Sequence, residues 1–332
     1  MDNQNRYLIT GATGFMGPRL ISFLLSKGHF CRCLARDPRK VKQGASQNFE
    51  IVCGDITKPE TLKGVAADMD YVLHLATLGH MSNYTVAPEM FEDVNVNGTV
   101  NIMHEALAAN VKRIVHCSSV AVMGICRDNP ATEKSQCFPH HPYGKSKLKA
   151  EQKVRFLVEK NGLPAVIIRF SMVYGPGDWR DMLKLTRLAQ KGLFPKIGGK
   201  PKLTPLIHVD DAIQGILLAA EKGKVGETYL ITNAQSEPFD QIRIILQKAL
   251  GVRRFPLYVP EWAALLAATI VEKTFSLVGK TPPVARKNIE STIADRAFSI
   301  EKARRELGFN PMIDPVTGLK QTVDWYKSNK WI

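Results

Sequence analysis

Short apolar runs and longer stretches of helical spacing alternate along the first half of the chain. Residues 7–10, 30–35, 49–53, 71–76, 113–117 and 165–170 are apolar runs of strand length. Between them, residues 18–27, 59–65, 90–110 and 144–161 repeat apolar side chains at the spacing of a helix with one buried face. Strands separated by helices pair in parallel through crossovers, and a parallel sheet is covered on both faces. The pattern predicts an α/β fold, a doubly wound parallel sheet whose ligands sit at the carboxyl ends of its strands.

The rhythm loosens after Gly175. Residues 178–191 and 210–222 predict helices on either side of a Gly/Pro/Lys loop, 194–205. Residues 228–232 predict one more strand, returning to the main sheet. The remainder is mostly helical, with 262–278, 300–307 and 315–328 as candidates. Residues 1–175, with strand 228–232, are expected to form one domain around the parallel sheet; 176–227 and 233–332 are expected to form a smaller, mostly helical region beside its ligand crevice.

With 332 residues and 45% hydrophobic content, the chain can bury a large core. Its net charge of +14 raises the question of nucleic acid, but Lys and Arg are spread rather than clustered, and no zinc-finger spacing or RNA-recognition signature is present. The charge reads instead as a basic surface that favours anionic ligands. The six cysteines, Cys31, Cys33, Cys53, Cys117, Cys126 and Cys137, have no metal-ligand spacing. Buried free thiols in a reducing, cytoplasmic compartment are expected. Residues 1–6 offer no signal peptide, and no apolar run reaches the roughly 18 residues of a membrane span.

Candidate chemistry starts where the first strand enters Gly11-Ala12-Thr13-Gly14-Phe15-Met16-Gly17. Gly11 allows a sharp turn, Gly14 allows backbone N–H groups to approach a pyrophosphate, and Gly17 allows the next helix to pack close. The spacing is G-x-x-G-x-x-G, and the helix N-terminus behind it attracts an anion. A second constellation follows the fifth strand, which ends Cys117-Ser118-Ser119. Downstream, Tyr143 and Lys147 stand four residues apart on one helical face. An ammonium beside a phenol favours the phenolate, and this predicts a Tyr143 pKa lowered toward the working pH.

In this order, and together with Gly54-Asp55-Ile56, His74-Leu75-Ala76, Val94–Thr99, Ser118–Gly124, Arg169–Gly177 and His208–Asp211, these segments resemble the extended short-chain dehydrogenase/reductases of the epimerase/dehydratase superfamily. The resemblance covers nearly the whole chain and implies a Rossmann sheet. It implies Ser119, Tyr143 and Lys147 as the catalytic trio: Tyr143 exchanging a proton, Lys147 tuning it and holding the nicotinamide ribose, Ser119 orienting the substrate oxygen. It also implies cofactor contacts from Gly11, Thr13, Gly14, Phe15, Met16, Gly17, Arg36, Asp55, Ile56, Leu75, Ala76, Thr77, Ser171 and Val173, besides Tyr143 and Lys147. Asp55 has turn capping as its alternative role, and Asn95 a structural hydrogen bond.

An arginine at the end of the second strand accommodates a 2′-phosphate, whereas an acidic residue there binds a ribose 2′-hydroxyl. Leu34-Ala35-Arg36-Asp37 puts Arg36 at that place, with Arg39 and Lys40 nearby, so NADP(H) is favoured. Asp37 keeps NAD(H) as the alternative. Val120 and Ala121 replace the acidic pair of sugar dehydratases, and Met172 replaces the Asn common in nucleotide-diphosphate sites. Leu203, Thr204 and Pro205 occupy the segment where an Arg is usual, and Met123 stands where Tyr is common. These departures resemble the 3β-hydroxysteroid dehydrogenase and dihydroflavonol reductase branch, and they imply an oxidoreductase for a small hydrophobic substrate lined by Ser119, Met123 and Met172. The alternatives are an NAD-dependent nucleotide-sugar epimerase and a non-catalytic dinucleotide-binding sensor. Residues 262–278 read either as a lid packed over the cleft or as a helix lying on a membrane surface. The resemblance further implies a homodimer through helices within 90–110 and 147–158.

Overall fold

The computed structural model describes residues 4–41, 46–79, 86–126, 128–253, 255, 257–277, 282, 284 and 286–332. Six strands follow the predicted runs: β1 (Arg6–Thr10), β2 (Phe30–Ala35), β3 (Phe49–Cys53), β4 (Tyr71–His74), β5 (Arg113–Ser119) and β6 (Ala165–Phe170). With Thr228–Ile231 they make a seven-stranded sheet in which β1 lies between β2 and β4, β3 forms one edge and Thr228–Ile231 the other. Every pairing is parallel. The chain winds outward from β1 to β3, then crosses back to β4 on the other side of β1. The order therefore reverses between β1 and β4, and the crevice at their carboxyl ends is the switch point at which such sheets bind ligands.

Alternation along the strands supplies two apolar faces. On one, Tyr7, Ile9, Cys31, Cys33, Leu73 and Val115 pack against Leu20 and Leu24 of the helix Gly17–Ser26 and Ile213 and Ile216 of the helix Val209–Lys222. On the other, Leu8, Val72, Ile114 and Ile167 pack against Ile102 and Met103 of the helix Gly98–Ala108 and Val154 and Leu157 of the helix Pro142–Asn161. A separate cluster around Tyr174, Met182, Phe194, Ile242, Leu246, Leu319 and Val323 organises the later part of the chain.

Several expectations need correction. Residues 59–65 form only the single turn Pro59–Thr61, because Gly64 and Asp68 take positive φ of 75° and 61°, which end a right-handed helix. The 90–110 segment is interrupted by a wide turn, Glu92–Asn97, ahead of Gly98–Ala108. The 194–205 loop contains the short strands Lys196–Ile197 and Leu203–Thr204. The helices Phe239–Leu250 and Arg286–Ile293 were not anticipated. Cys53 is exposed, since it ends an edge strand, and Cys126 and Cys137 are half-buried; Cys31, Cys33 and Cys117 are buried as free thiols. The helix Glu261–Leu277 buries Ala264 and Ala268 but leaves Trp262, Leu266 and Ile270, four residues apart on one face, more than half exposed. Val278, the end of the predicted segment, lies outside the described residues. Among the described residues no helix is long and apolar enough to cross a membrane.

Two buried polar groups underpin the sheet near the crevice. Glu151, fully buried, accepts from Arg169 Nε (3.0 Å) and Nη2 (2.7 Å), from Arg155 Nη2 (3.0 Å) and from the Ser118 hydroxyl (2.6 Å). Burial raises the Glu151 pKa, but the Arg169 and Arg155 charges and these hydrogen bonds outweigh it and hold the carboxyl below its ordinary value. The pair ties the helix Pro142–Asn161 to β5 and β6. Breaking a buried pair strands a charge at a cost of about 3–5 kcal/mol. Glu151→Leu is expected to lose about that much stability in urea unfolding, and Glu151→Leu/Arg169→Met to regain most of it; a single variant within about 1 kcal/mol of the parent contradicts the assignment.

His74 and His116, neighbours across β4 and β5, stack with ring centroids 5.6 Å apart and are fully buried. His74 is satisfied by Thr10 Oγ1 at Nδ1 (2.8 Å) and Thr99 Oγ1 at Nε2 (3.0 Å), whereas neither His116 ring nitrogen has a partner among the described residues. Burial, reinforced by the Lys147 charge, lowers both, His74 to about 3. A lowered histidine pKa means that the unfolded chain binds the extra proton. Stability is therefore complete above the ordinary 6.5 and falls on acidification from there toward about 3. His74 contributes about 1.4 kcal/mol per pH unit in that window, and His116, lowered in the same direction, contributes with the same sign and slope below 6.5. His116→Leu is expected to reduce the slope of unfolding free energy against pH by that amount; an unchanged slope contradicts it.

Candidate active site

The crevice is built from close backbone approaches. Gly11 takes φ +78°, and a Cβ there would lie 2.8 Å from the Ala76 nitrogen and the Leu75 carbonyl carbon, so the turn after β1 presses directly on the end of β4. A Cβ on Gly17 would lie 2.5 Å from the Gly11 oxygen, which itself accepts the Gly14 N–H at 3.0 Å. The Thr10 hydroxyl accepts the Ala76 N–H (3.1 Å), fixing the segment that follows β4. The helix Gly17–Ser26 begins at Met16 with no side-chain cap, leaving its first N–H groups turned toward the loop. Thr13 is exposed, and Gly14, Phe15 and Met16 are half-buried along this rim. A cradle of glycine-permitted backbone around an uncapped helix start fits a dinucleotide pyrophosphate.

Arg36 is exposed at the end of β2. Asp37 beside it caps the turn Pro38–Lys40, accepting from the Arg39 N–H (3.2 Å) and Nε (2.9 Å). The Arg39 hydrogen bond holds the Asp37 carboxyl below its ordinary value. Asp55 caps locally as well, accepting from the Thr57 N–H (3.0 Å) and hydroxyl (2.9 Å). Burial raises its pKa, but the Thr57 bonds and the Arg36 and Lys58 charges bring it below the usual value. Ile56 is buried against Gly98, and its carbonyl accepts Asn101 Nδ2 at 2.8 Å. Leu75 is buried, Ala76 half-buried and Thr77 exposed.

Ser119 ends β5, and its hydroxyl accepts the Ala121 N–H (3.1 Å), starting the turn Val120–Val122. A Cβ on Gly144 would lie 2.5 Å from the Ala121 oxygen, so only glycine lets the helix Pro142–Asn161 begin against that turn. This approach brings Tyr143 to the Ser119 side chain, which hydrogen-bonds it. Burial pushes the Tyr143 phenol above its ordinary 10, and the Ser119 bond and the Arg180 charge oppose the rise. Lys147, fully buried, donates from Nζ to the Cys117 carbonyl at 2.7 Å, and burial lowers its ammonium to about 8. The expectation of a phenol acidified by Lys147 is thus not met in this geometry, because the ammonium is directed at the β5 backbone. Asn95 is structural: its Oδ1 accepts from Thr77 Oγ1 (2.9 Å) and the Leu78 N–H (2.7 Å), and its Nδ2 donates to the Leu78 carbonyl (3.1 Å) and Ser146 Oγ (2.9 Å).

Ser171 Oγ is buried without a partner among the described residues, and Val173 is buried in the adjoining short strand Met172–Tyr174. An unpartnered hydroxyl beyond the end of β6 fits a ligand on that side of the crevice. Met172 is half-buried against the later apolar cluster. Met123 has no exposed surface; it packs with Val122, Ala131, Leu230 and Phe298 beneath the site rather than along an open wall. Sequence reasoning passed over Trp179 and Arg180, which meet Phe15: the Trp179 ring stands edge-on with centroids 6.2 Å apart, and the Arg180 guanidinium lies 4.5 Å from the Phe15 centroid. Only the contact across 165 residues reveals them, since an Arg and a Trp in a loop carry no spacing signal. Among the described residues there is no cluster that could hold a metal ion.

Comparison with known proteins agrees with this geometry. The sequence model of the NAD dependent epimerase/dehydratase family matches residues 7–232. The Mus musculus protein named short-chain dehydrogenase/reductase family 42E member 1 is 30% identical over 97% of this chain and 87% of its own length. A Stigmatella aurantiaca protein named 4-hydroxy-2-methyl-3-oxo-4-farnesyl-3,4-dihydroquinoline-1-oxide ketoreductase is 28% identical, covering 95% of this chain and 94% of that one. The dTDP-glucose 4,6-dehydratase of Streptomyces venezuelae, crystallised with NAD bound, superposes with a TM-score of 0.79 at 26% identity, covering 98% of both chains. The chain belongs to the NAD dependent epimerase/dehydratase family and is an NAD(P)-dependent oxidoreductase of the extended short-chain dehydrogenase/reductase type.

Proposed function

We propose that this enzyme reduces a carbonyl on a hydrophobic substrate with NADPH. The observation that carries the reading is the Tyr143 phenol, buried and hydrogen-bonded to Ser119 at the carboxyl end of β5, where burial raises its pKa above the ordinary value. A neutral phenol is a proton donor, and carbonyl reduction is the direction that needs one. When bound, the nicotinamide supplies the hydride. Ser119 orients the carbonyl oxygen, Tyr143 delivers a proton to the developing alkoxide, and the Lys147 ammonium, one helical turn on, would hold the nicotinamide ribose and stabilise the resulting phenolate. Val120 and Ala121, directly after Ser119, offer no carboxylate for the acid/base work of a dehydratase. The half-buried Met172 favours an apolar substrate over a nucleotide sugar. The Stigmatella relative, named as a ketoreductase of a farnesylated quinoline, supports the same class.

Preference for the phosphorylated cofactor rests on Arg36. Its guanidinium is exposed at the end of β2, while the competing Asp37 carboxylate is committed to Arg39. A planar fork suits a 2′-phosphate, and a charge-assisted contact of this kind is worth about 1.5–3 kcal/mol, roughly a tenfold to hundredfold effect. Arg36→Ala is expected to weaken NADPH binding by that factor in a fluorescence titration and NADH binding by less than about threefold. Equal losses remove Arg36 from the role. Tyr143→Phe is expected to reduce turnover of a lipophilic ketone by about 10²–10⁴-fold while leaving NADPH affinity nearly unchanged; near-parental turnover excludes Tyr143 as the donor.

A further inference from the structure

Arg180, from the later part of the chain, presents its guanidinium to the glycine loop at Phe15. It closes the segment Gly175–Arg180, just ahead of the helix Asp181–Lys191. Two of its three nitrogens are committed: Nε donates to Asp178 Oδ1 at 2.8 Å and Nη2 to the Val173 carbonyl at 2.8 Å. Asp178 Oδ1 also accepts the Arg180 backbone N–H at 3.0 Å, so the side chain is held at both ends. The guanidinium lies over the Phe15 ring at 4.5 Å. Nη1 has no hydrogen-bond partner among the described residues, and the side chain is 28% exposed. An arginine fixed at two nitrogens and still partly exposed is preorganised for one more acceptor.

What that acceptor is follows from the surroundings. Phe15 lies between Gly14 and Met16, in the backbone that forms the anion cradle. The cradle itself provides N–H groups and a helix dipole but no full positive charge. Arg19, in the first turn of the helix behind it, is engaged by Asp210. Asp178, the acidic partner of Arg180, is buried, and its Oδ1 faces the Arg180 Nε and backbone N–H, which leaves Nη1 on the side away from that carboxylate contact. The Arg180 charge also opposes the rise of the Tyr143 pKa, so the guanidinium that lies over Phe15 is within electrostatic reach of the phenol.

We propose that Arg180 is a dinucleotide-binding residue that contacts the cofactor's pyrophosphate through Nη1, so that a segment outside the nucleotide-binding strands clamps the bound cofactor. The inference rests on the dinucleotide reading of the glycine loop and is independent of the substrate. Because Arg180 also holds the Val173 carbonyl, cofactor binding then tightens the strand that borders the substrate side.

Binding to fragments tests this without turnover. NADPH, ADP-ribose and adenosine are titrated against the full-length parent, Arg180→Gln and Arg180→Lys, with thermal unfolding of each ligand-free protein as a check on folding. Arg180→Gln is expected to weaken NADPH and ADP-ribose about tenfold, as for loss of one charge-assisted contact, and to leave adenosine within about twofold. Arg180→Lys, which keeps the charge, is expected to recover part of the loss while unfolding like the parent. Parental affinity of both variants for ADP-ribose overturns the proposal. Equal weakening of adenosine also overturns it, since Arg180 then acts by shaping the loop through Phe15. A parent protein that binds none of the three refutes the dinucleotide reading itself.

Discussion

The close approach of two strand ends governs this molecule. Where β1 stops, Gly11 passes within van der Waals contact of the Leu75–Ala76 backbone, and Gly17 passes equally close to Gly11. Any side chain at either position would separate β1 from β4 or lift the first helix off the sheet. Because the winding order reverses between these same strands, the approach also creates the crevice in which the helix start, the Thr10 hydroxyl and the loop after β4 converge. Cofactor binding and sheet integrity are therefore set by the same atoms.

The reacting side is held by the same means. Gly144 lets the helix Pro142–Asn161 start against the Val120–Val122 turn, and this puts Tyr143 beside Ser119. One helical turn on, Lys147 bonds the Cys117 carbonyl, and a further turn on, Glu151 joins Arg169 and Ser118. One helix face thus carries proton donor, tuning cation and structural carboxylate in register at four-residue steps. The fixed helix makes the spacing chemically meaningful. An isolated Tyr/Lys pair on a solvated helix would have no partner strand to aim at.

Much of this was legible in the sequence because it is periodic or compositional. The six apolar runs, the glycine spacing and the Ser119, Tyr143 and Lys147 set depend on local pattern, and β1–β6 follow it closely. What the pattern missed depends on tertiary contact. The helix expected over residues 59–65 is broken by Gly64 adopting a positive φ, which no periodicity forecasts. The phenol pKa depends on burial and on where the Lys147 ammonium is directed, and a spacing rule reports neither. Arg180 and Phe15 meet only because the later apolar cluster carries the Gly175–Arg180 segment back over the loop. Met123, read from the sequence as a pocket-wall residue, follows the Val120–Val122 turn and packs in the cluster with Phe298.

The most direct test of the account is a titration of cofactor-free protein with NADPH and NADH, followed by measurement of cofactor oxidation in the presence of lipophilic ketones, β-keto acids, sterol ketones and UDP-sugars. The account predicts tighter binding of NADPH and its consumption by a lipophilic ketone. Cofactor that cannot be removed, with conversion of UDP-sugars alone, would contradict it and assign the site to sugar epimerisation.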